Sequence, residues 1–231
     1  GLPQTEVTLP VIPTSFNLCT AFDAESICMP VAITQPTVTW ANDDWTTQSN
    51  GDPVDVGGGE MHIFGYDAFR TIQEAVDAVT AGGTTYVLAG TYVEDVTIDK
   101  ALDLLGPNAA INPNTGSRGP EAVLLPATHD PDPNSVTSHA MLYLGVDDIT
   151  VRGLTIDGDN PALAGGVDAI EGIAAYDDVG QIVVENNILQ NFTYAGMDFY
   201  NTSGKATSGN YIRYNLLQNI GDTTYNWGIG V

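Results

Sequence analysis

The chain has 231 residues, 43% of them hydrophobic, with 29 acidic against 6 basic side chains and a formal net charge of −23. That is enough apolar material for one large domain, or one with a small extension, and enough negative charge to repel a polyanion, which argues against nucleic acid as a partner. No apolar run approaches the roughly 18 residues that cross a bilayer, so no membrane span is expected.

The acidic residues are dispersed rather than gathered at metal-ligand spacing, which reads as solubility before cation binding. The N-terminal Gly1-Leu2-Pro3-Gln4 has neither a basic region nor an apolar core, so a signal peptide was either never there or has been removed. Residues 1–60 are rich in Pro, Thr and Asp, with short β-like stretches such as Val31-Ala32-Ile33-Thr34 and Thr37-Val38-Thr39-Trp40. They read as a strand-rich extension closed by Gly57-Gly58-Gly59. Cys19 and Cys28 lie in it without the spacing or histidines of a zinc site. In an oxidising compartment they would staple a hairpin as a disulfide; two buried thiols are the other reading.

One helix is expected. Thr71 and Glu74 form a capping box, Ile72, Ala75, Val76 and Val79 make one apolar face, and Gly82-Gly83 stops it. A single amphipathic helix ahead of many short strands suits the covering of an open β-stack. The strands follow: Tyr86-Val87-Leu88, Val96-Thr97-Ile98, Leu102-Asp103-Leu104-Leu105 and Val123-Leu124-Leu125, with no second helical period.

Three later segments superpose without gaps: Val151 to Gly158, Val184 to Asn191 and Ile212 to Asn219, spaced by 33 and 28 residues. Apolar residues recur in the first column (Val151, Val184, Ile212) and the sixth (Ile156, Leu189, Leu217). The fourth column holds Leu154, Asn187 and Asn215, and the eighth Gly158, Asn191 and Asn219. The asparagines suit corners in left-handed backbone, and Asn187 and Asn215 are placed to form an amide ladder. Their role is structural, even though Asn191 and Asn201 begin formal glycosylation sequons. A further strand precedes each copy: Met141 to Leu144, Gly172 to Tyr176 and Gly196 to Tyr200. The repeats predict an all-β parallel β-helix, a solenoid over 61–231 whose coils bury a shared interior only by stacking. Its last strand starts at Trp227 to Val231, so the chain reads as ending in mid-coil, to be continued by further coils, another domain or end-to-end self-assembly.

Residues 64 to 106 add a resemblance. Phe64-Gly65-Tyr66-Asp67-Ala68-Phe69-Arg70-Thr71-Ile72-Gln73-Glu74-Ala75-Val76, then Ala81-Gly82-Gly83-Thr84, Ala89-Gly90-Thr91-Tyr92-Val93-Glu94 and Leu104-Leu105-Gly106 resemble the opening module of pectin-lyase-like right-handed parallel β-helix proteins. The likeness is nearest to bacterial cell-surface β-helix repeat proteins, where a segment like Trp45 to Gly59 comes first. Gly90-x-Tyr92-x-Glu94 is also similar to the first signature of pectinesterases. The resemblance runs from about 45 to 231 and implies the right-handed fold, a secreted or surface location and a saccharide cleft on the outside of a sheet. The family's activities do not carry over. Met197-Asp198-Phe199-Tyr200 only faintly echoes the pectinesterase Asp-Phe-Ile-Phe-Gly strand, the Gly-Arg-Pro-Trp-like site is absent, and His62, His129 and His139 all precede the main repeats.

Strand alternation puts Leu142, Ile173, Met197 and Phe199 inward, and Tyr143, Ala174, Tyr176, Asp198 and Tyr200 outward. Tyr143, Tyr176, Asp198 and Tyr200 are therefore the candidate ligand-binding stripe for a polysaccharide or cell-surface glycan; harmless sheet tyrosines are the alternative. Asp198 is the candidate catalytic residue. A hydrolytic pair could also draw on Asp168, Glu171, Asp177 or Asp178, with Arg152 or Arg213 against an anion. Asp157 and Asp159 are the candidate calcium ligands, in a stretch that reads equally as a turn. The leading expectation is an extracellular structural, adhesive or polysaccharide-binding module; the alternative is a lyase, esterase or glycosidase acting on acidic polysaccharide.

Overall fold

A computed structural model describes residues 16–22, 25–31, 34–132, 140–176, 179–200 and 209–221. The first described element is an antiparallel hairpin, β1 (Phe16–Phe22) and β2 (Glu25–Val31), in which Cys19 and Cys28 are register partners. Then come β3 (Val38–Ala41), an antiparallel pair β4 (Pro53–Asp55) and β5 (Met61–Ile63), the short β6 (Ala68–Phe69) and helix α1 (Ile72–Ala78).

Coils follow, three strands to each. The first is β7 (Gly83–Val87), β8 (Gly90–Val93) and β9 (Val96–Ile98). The second is β10 (Leu102–Leu105), β11 (Ala122–Leu125) and β12 (Ala140–Leu144). The third is β13 (Ile149–Arg152), β14 (Thr155–Asp157) and β15 (Glu171–Tyr176). The fourth is β16 (Val183–Glu185), β17 (Ile188–Phe192) and β18 (Ala195–Tyr200). A fifth opens with β19 (Tyr211–Arg213) and β20 (Leu216–Ile220). Equivalent strands of successive coils pair in parallel, giving a first sheet β19-β16-β13-β10-β7-β3-β6, a second β20-β17-β14-β11-β8 and a third β18-β15-β12-β9. This is a right-handed parallel β-helix. Val38–Ala41, assigned by the sequence reading to the extension, is hydrogen-bonded into the first sheet beside β7.

The register is the one the repeats predict. Leu104, Val151, Val184 and Ile212 stack in the first sheet, Leu124, Ile156, Leu189 and Leu217 in the second, and Val96, Leu142, Ile173 and Met197 in the third. From Leu104 to Val184 in the first sheet, Leu124 to Leu189 in the second and all along the third, these residues are buried, and they fill one continuous interior. A slip of one residue would turn each of these columns to solvent, so burial pins the pairing.

The corners differ in part from expectation. Asn191 and Asn219 of the eighth column take the left-handed conformation, φ 61° and 56°. In the first repeat columns, however, it is the third position that turns left-handed: Gly153, Asn186 and Tyr214. The fourth-column asparagines instead form the amide ladder. Asn187 Oδ1 accepts the Leu154 N–H at 3.0 Å while its Nδ2 donates to the Val151 carbonyl at 3.0 Å. One coil on, Asn215 Oδ1 accepts the Asn187 N–H at 2.9 Å and its Nδ2 donates to Val184 at 2.8 Å. Each side chain thus satisfies corner backbone groups that a bend takes out of the ladder.

Helix α1 is fixed from both ends of its first turn. Thr71 Oγ1 accepts the Glu74 N–H at 3.1 Å, and the Glu94 carboxylate accepts the N–H groups of Ile72 and Gln73 at 2.7 and 2.9 Å. Its apolar face, Ile72, Ala75, Val76 and Ala78, is buried. Along the edge of β9 the Gln73 side-chain amide acts as a surrogate strand: it accepts from Thr97 N at 2.7 Å and donates to Thr97 O at 3.1 Å. The Gly90-x-Tyr92-x-Glu94 motif is therefore a folding device. At Gly90 a Cβ would collide with the Asp43 carboxylate, which holds Thr91 N at 2.9 Å. Tyr92 is buried, with its hydroxyl on the carbonyls of Ala41 and Leu88 at 3.0 and 2.9 Å, and Glu94 anchors the helix.

Candidate functional site on the third sheet

The outer face of the third sheet gathers the candidate residues. Tyr143, Ala174 and Asp198 are register neighbours across β12, β15 and β18, and Tyr176 stands beside Tyr200. The rings of Tyr143 and Tyr176 are 5.8 Å apart and inclined at 48°. Tyr200 is 59% exposed and presents a free ring at the rim. Ala174, between Tyr143 and Asp198, is fully buried. The groups this face presents are therefore the tyrosine rings and the Asp198 carboxylate; an aromatic ring can take the C–H face of a sugar while a carboxylate takes its hydroxyls.

Glu171 joins this cluster through a local break in alternation. A Cβ on Gly172 would meet Phe192 and Leu189 of the core. The inward side at the start of β15 is thus taken by Gly172, and Glu171 lies on the outer side, where its carboxylate accepts the Tyr176 hydroxyl. Glu171 is 7% exposed. Burial lifts its carboxyl above the usual range and the Asp198 charge adds to the lift, while the Tyr176 hydrogen bond opposes it. Burial raises Asp198 as well. Tyr176 is pushed up by burial and then by the Glu171 bond, and Tyr194 is raised by burial and by the two carboxylates. The site is thus a pair of carboxylates that resist ionisation, set among four tyrosines.

No family model and no curated protein matches the chain. Two solved structures resemble it, both pectin methylesterases with a parallel β-helix fold. One, in complex with a hexasaccharide, is 17% identical with a TM-score of 0.41, covering 58% of this chain and 44% of its own. The other, PemA from Erwinia chrysanthemi, is 15% identical with a TM-score of 0.43, covering 73% and 46%. The chain spans less than half the length of either.

The remaining candidates lie elsewhere. Asp168 is fully buried and bonded to His129 and the Asn160 N–H, not to a member of the stripe. Arg152 and Arg213 sit on the first sheet and both engage the buried Glu185, Arg152 at 3.0 Å. Asp157 takes Asn191 Nδ2 and Gln190 Nε2 at 2.7 and 2.6 Å and the Asp159 N–H at 3.1 Å, the bonding of a turn residue. Among the described residues no group of three or more His, Cys, Asp or Glu side chains could hold a metal ion. Asp177, Asp178, His139, Asn201 and the segment Trp227 to Val231 lie outside the described residues. Tyr194 is the member that sequence reasoning missed, since it precedes β18 and no strand alternation places it.

Proposed function

We propose that the chain is a saccharide-binding β-helix module of a secreted or cell-surface protein, and that the outer face of the third sheet is its binding surface. The observation that carries this reading is the grouping of Tyr143, Tyr176 and Tyr200 with Asp198 and Glu171 over the buried Ala174. Aromatic walls give stacking area at little entropic cost, and the carboxyls give directional acceptors. The Arg152 and Arg213 guanidinium groups are paired with Glu185 on another sheet, so they do not serve this face against an anionic chain.

A second reading draws on one specific feature. Two carboxyls with raised proton affinity on one face are what general acid catalysis of glycoside or ester cleavage uses. The test is a panel of neutral and acidic polysaccharides, with and without calcium, scored for retention and for new reducing or unsaturated ends. Retention without new ends supports the binding module. Turnover that vanishes in Asp198→Ala would make the same face an active site, and neither retention nor turnover would contradict both readings.

A further inference from the structure

A separate cleft lies at the corner where the chain passes from the second sheet to the third. It measures about 500 Å³ and is lined by His129, Val167, Phe192, Thr193, Asn219 and Ile220 among others, within the size range of small-ligand sites. At its wall His129 Nδ1 lies 2.5 Å from Asp168 Oδ1. Asp168 is fully buried, and its second oxygen accepts the Asn160 N–H at 2.8 Å. The imidazole is 39% exposed. Gly165, at φ +125°, lets the backbone close on the ring: a Cβ there would stand 2.8 Å from His129 Cε1 and 3.2 Å from Nε2. A buried carboxylate and a glycine thus set one histidine edge-on to the cleft.

We propose that this cleft binds a single neutral, hydroxyl-bearing sugar ring, with His129 Nε2 hydrogen-bonded to one of its hydroxyls. The Asp168 carboxylate engages Nδ1, which leaves Nε2 for a ligand hydroxyl, a group that can both donate and accept. Thr193 donates its hydroxyl to the Pro131 carbonyl at 2.7 Å, so its oxygen lone pairs are further acceptors. The partly exposed Val167 and Ile220 supply apolar wall for the C–H face of a ring. Two other ligand classes fit worse. The described lining residues include no lysine or arginine, and the chain carries −23, so an anion is repelled. The described lining residues also include no carboxylate to ligate a cation. The cleft shares no lining residue with the tyrosine stripe, and the proposal stands whether or not that stripe binds glycan.

The test is a magnetic-resonance titration of the whole chain with D-glucose, D-galactose and D-mannose, with D-glucuronate as the anionic comparator. The readouts are the His129 imidazole, assigned through His129→Gln, and, in every protein including the variants, the backbone amides of Gly165, Val167 and Thr193 in the cleft. At least one neutral hexose should give saturable shifts at millimolar concentration, with D-glucuronate at least about tenfold weaker. His129→Ala should lose about tenfold in affinity, the effect of one lost hydrogen bond, while Val93→Ala, at an exposed position outside both sites, should leave it unchanged. Because His129→Ala leaves the buried Asp168 without its imidazole partner, the amide spectrum verifies folding, and His129→Gln, which keeps a donor toward Asp168, serves as the second variant. Absence of a saturable shift with all three hexoses, equal binding of D-glucuronate, or undiminished affinity in His129→Ala would each overturn the proposal.

Discussion

Glu171 and Asp198 are the two residues whose chemistry the fold changes most. Both have their proton affinity raised by burial, and the Asp198 charge adds to the rise at Glu171. Relative to the unfolded chain, the native state therefore holds these protons more tightly. That contribution to stability is complete below the unfolded carboxylate values, about 4, and is lost as pH rises through the higher folded values. The double variant Glu171→Gln, Asp198→Asn lacks the component. Urea midpoints measured across the acidic range should show the wild type losing ground to the variant as pH increases. A difference between the two that stays constant with pH would contradict the assignment. The stripe itself was readable from alternation, because Tyr143, Tyr176, Asp198 and Tyr200 obey a period of two. Glu171 could be named only as one acid among several, since the Gly172 parity break that turns it outward depends on Phe192 and Leu189 in the next coil.

At the scale of elements, the fold was legible wherever one residue type solves a repeated backbone problem. The columns Val151-Val184-Ile212 and Ile156-Leu189-Leu217 are register partners as the repeat implies. The Asn187–Asn215 ladder was readable too, because an amide matches a peptide group in both donor and acceptor. Which corner position would turn left-handed was not: Tyr214 does so where its counterparts are Gly153 and Asn186, and tyrosine carries no local signal for it. The helix shows the same mixture. Its capping box and apolar face are local, whereas the Glu94 clamp reaches 22 residues back to Ile72. Glu94→Ala removes the acceptor for two helix-start N–H groups and should cost about 1–3 kcal/mol. Urea unfolding should therefore show a lower midpoint at an unchanged slope, with a smaller loss in Glu94→Gln. A Glu94→Ala midpoint equal to that of the wild type would show that the clamp contributes nothing.

Across the whole molecule, stacking divides the labour between faces. The interior columns hold the coils together, the first sheet carries the Arg152–Glu185–Arg213 row outside, and the third sheet carries the tyrosines and the carboxylates. A net charge of −23 around a face with protonatable carboxyls favours neutral glycans over polyanions. The most direct test of this account is a calorimetric titration with whichever polysaccharide is retained best, comparing the wild type with the Tyr143→Ala, Tyr200→Ala double variant. The account predicts binding by the wild type and a loss of about tenfold or more in the variant, the scale of two lost aromatic contacts, at an unchanged melting temperature. Equal affinity in the two proteins would contradict it, because the glycan would then be held by some other surface.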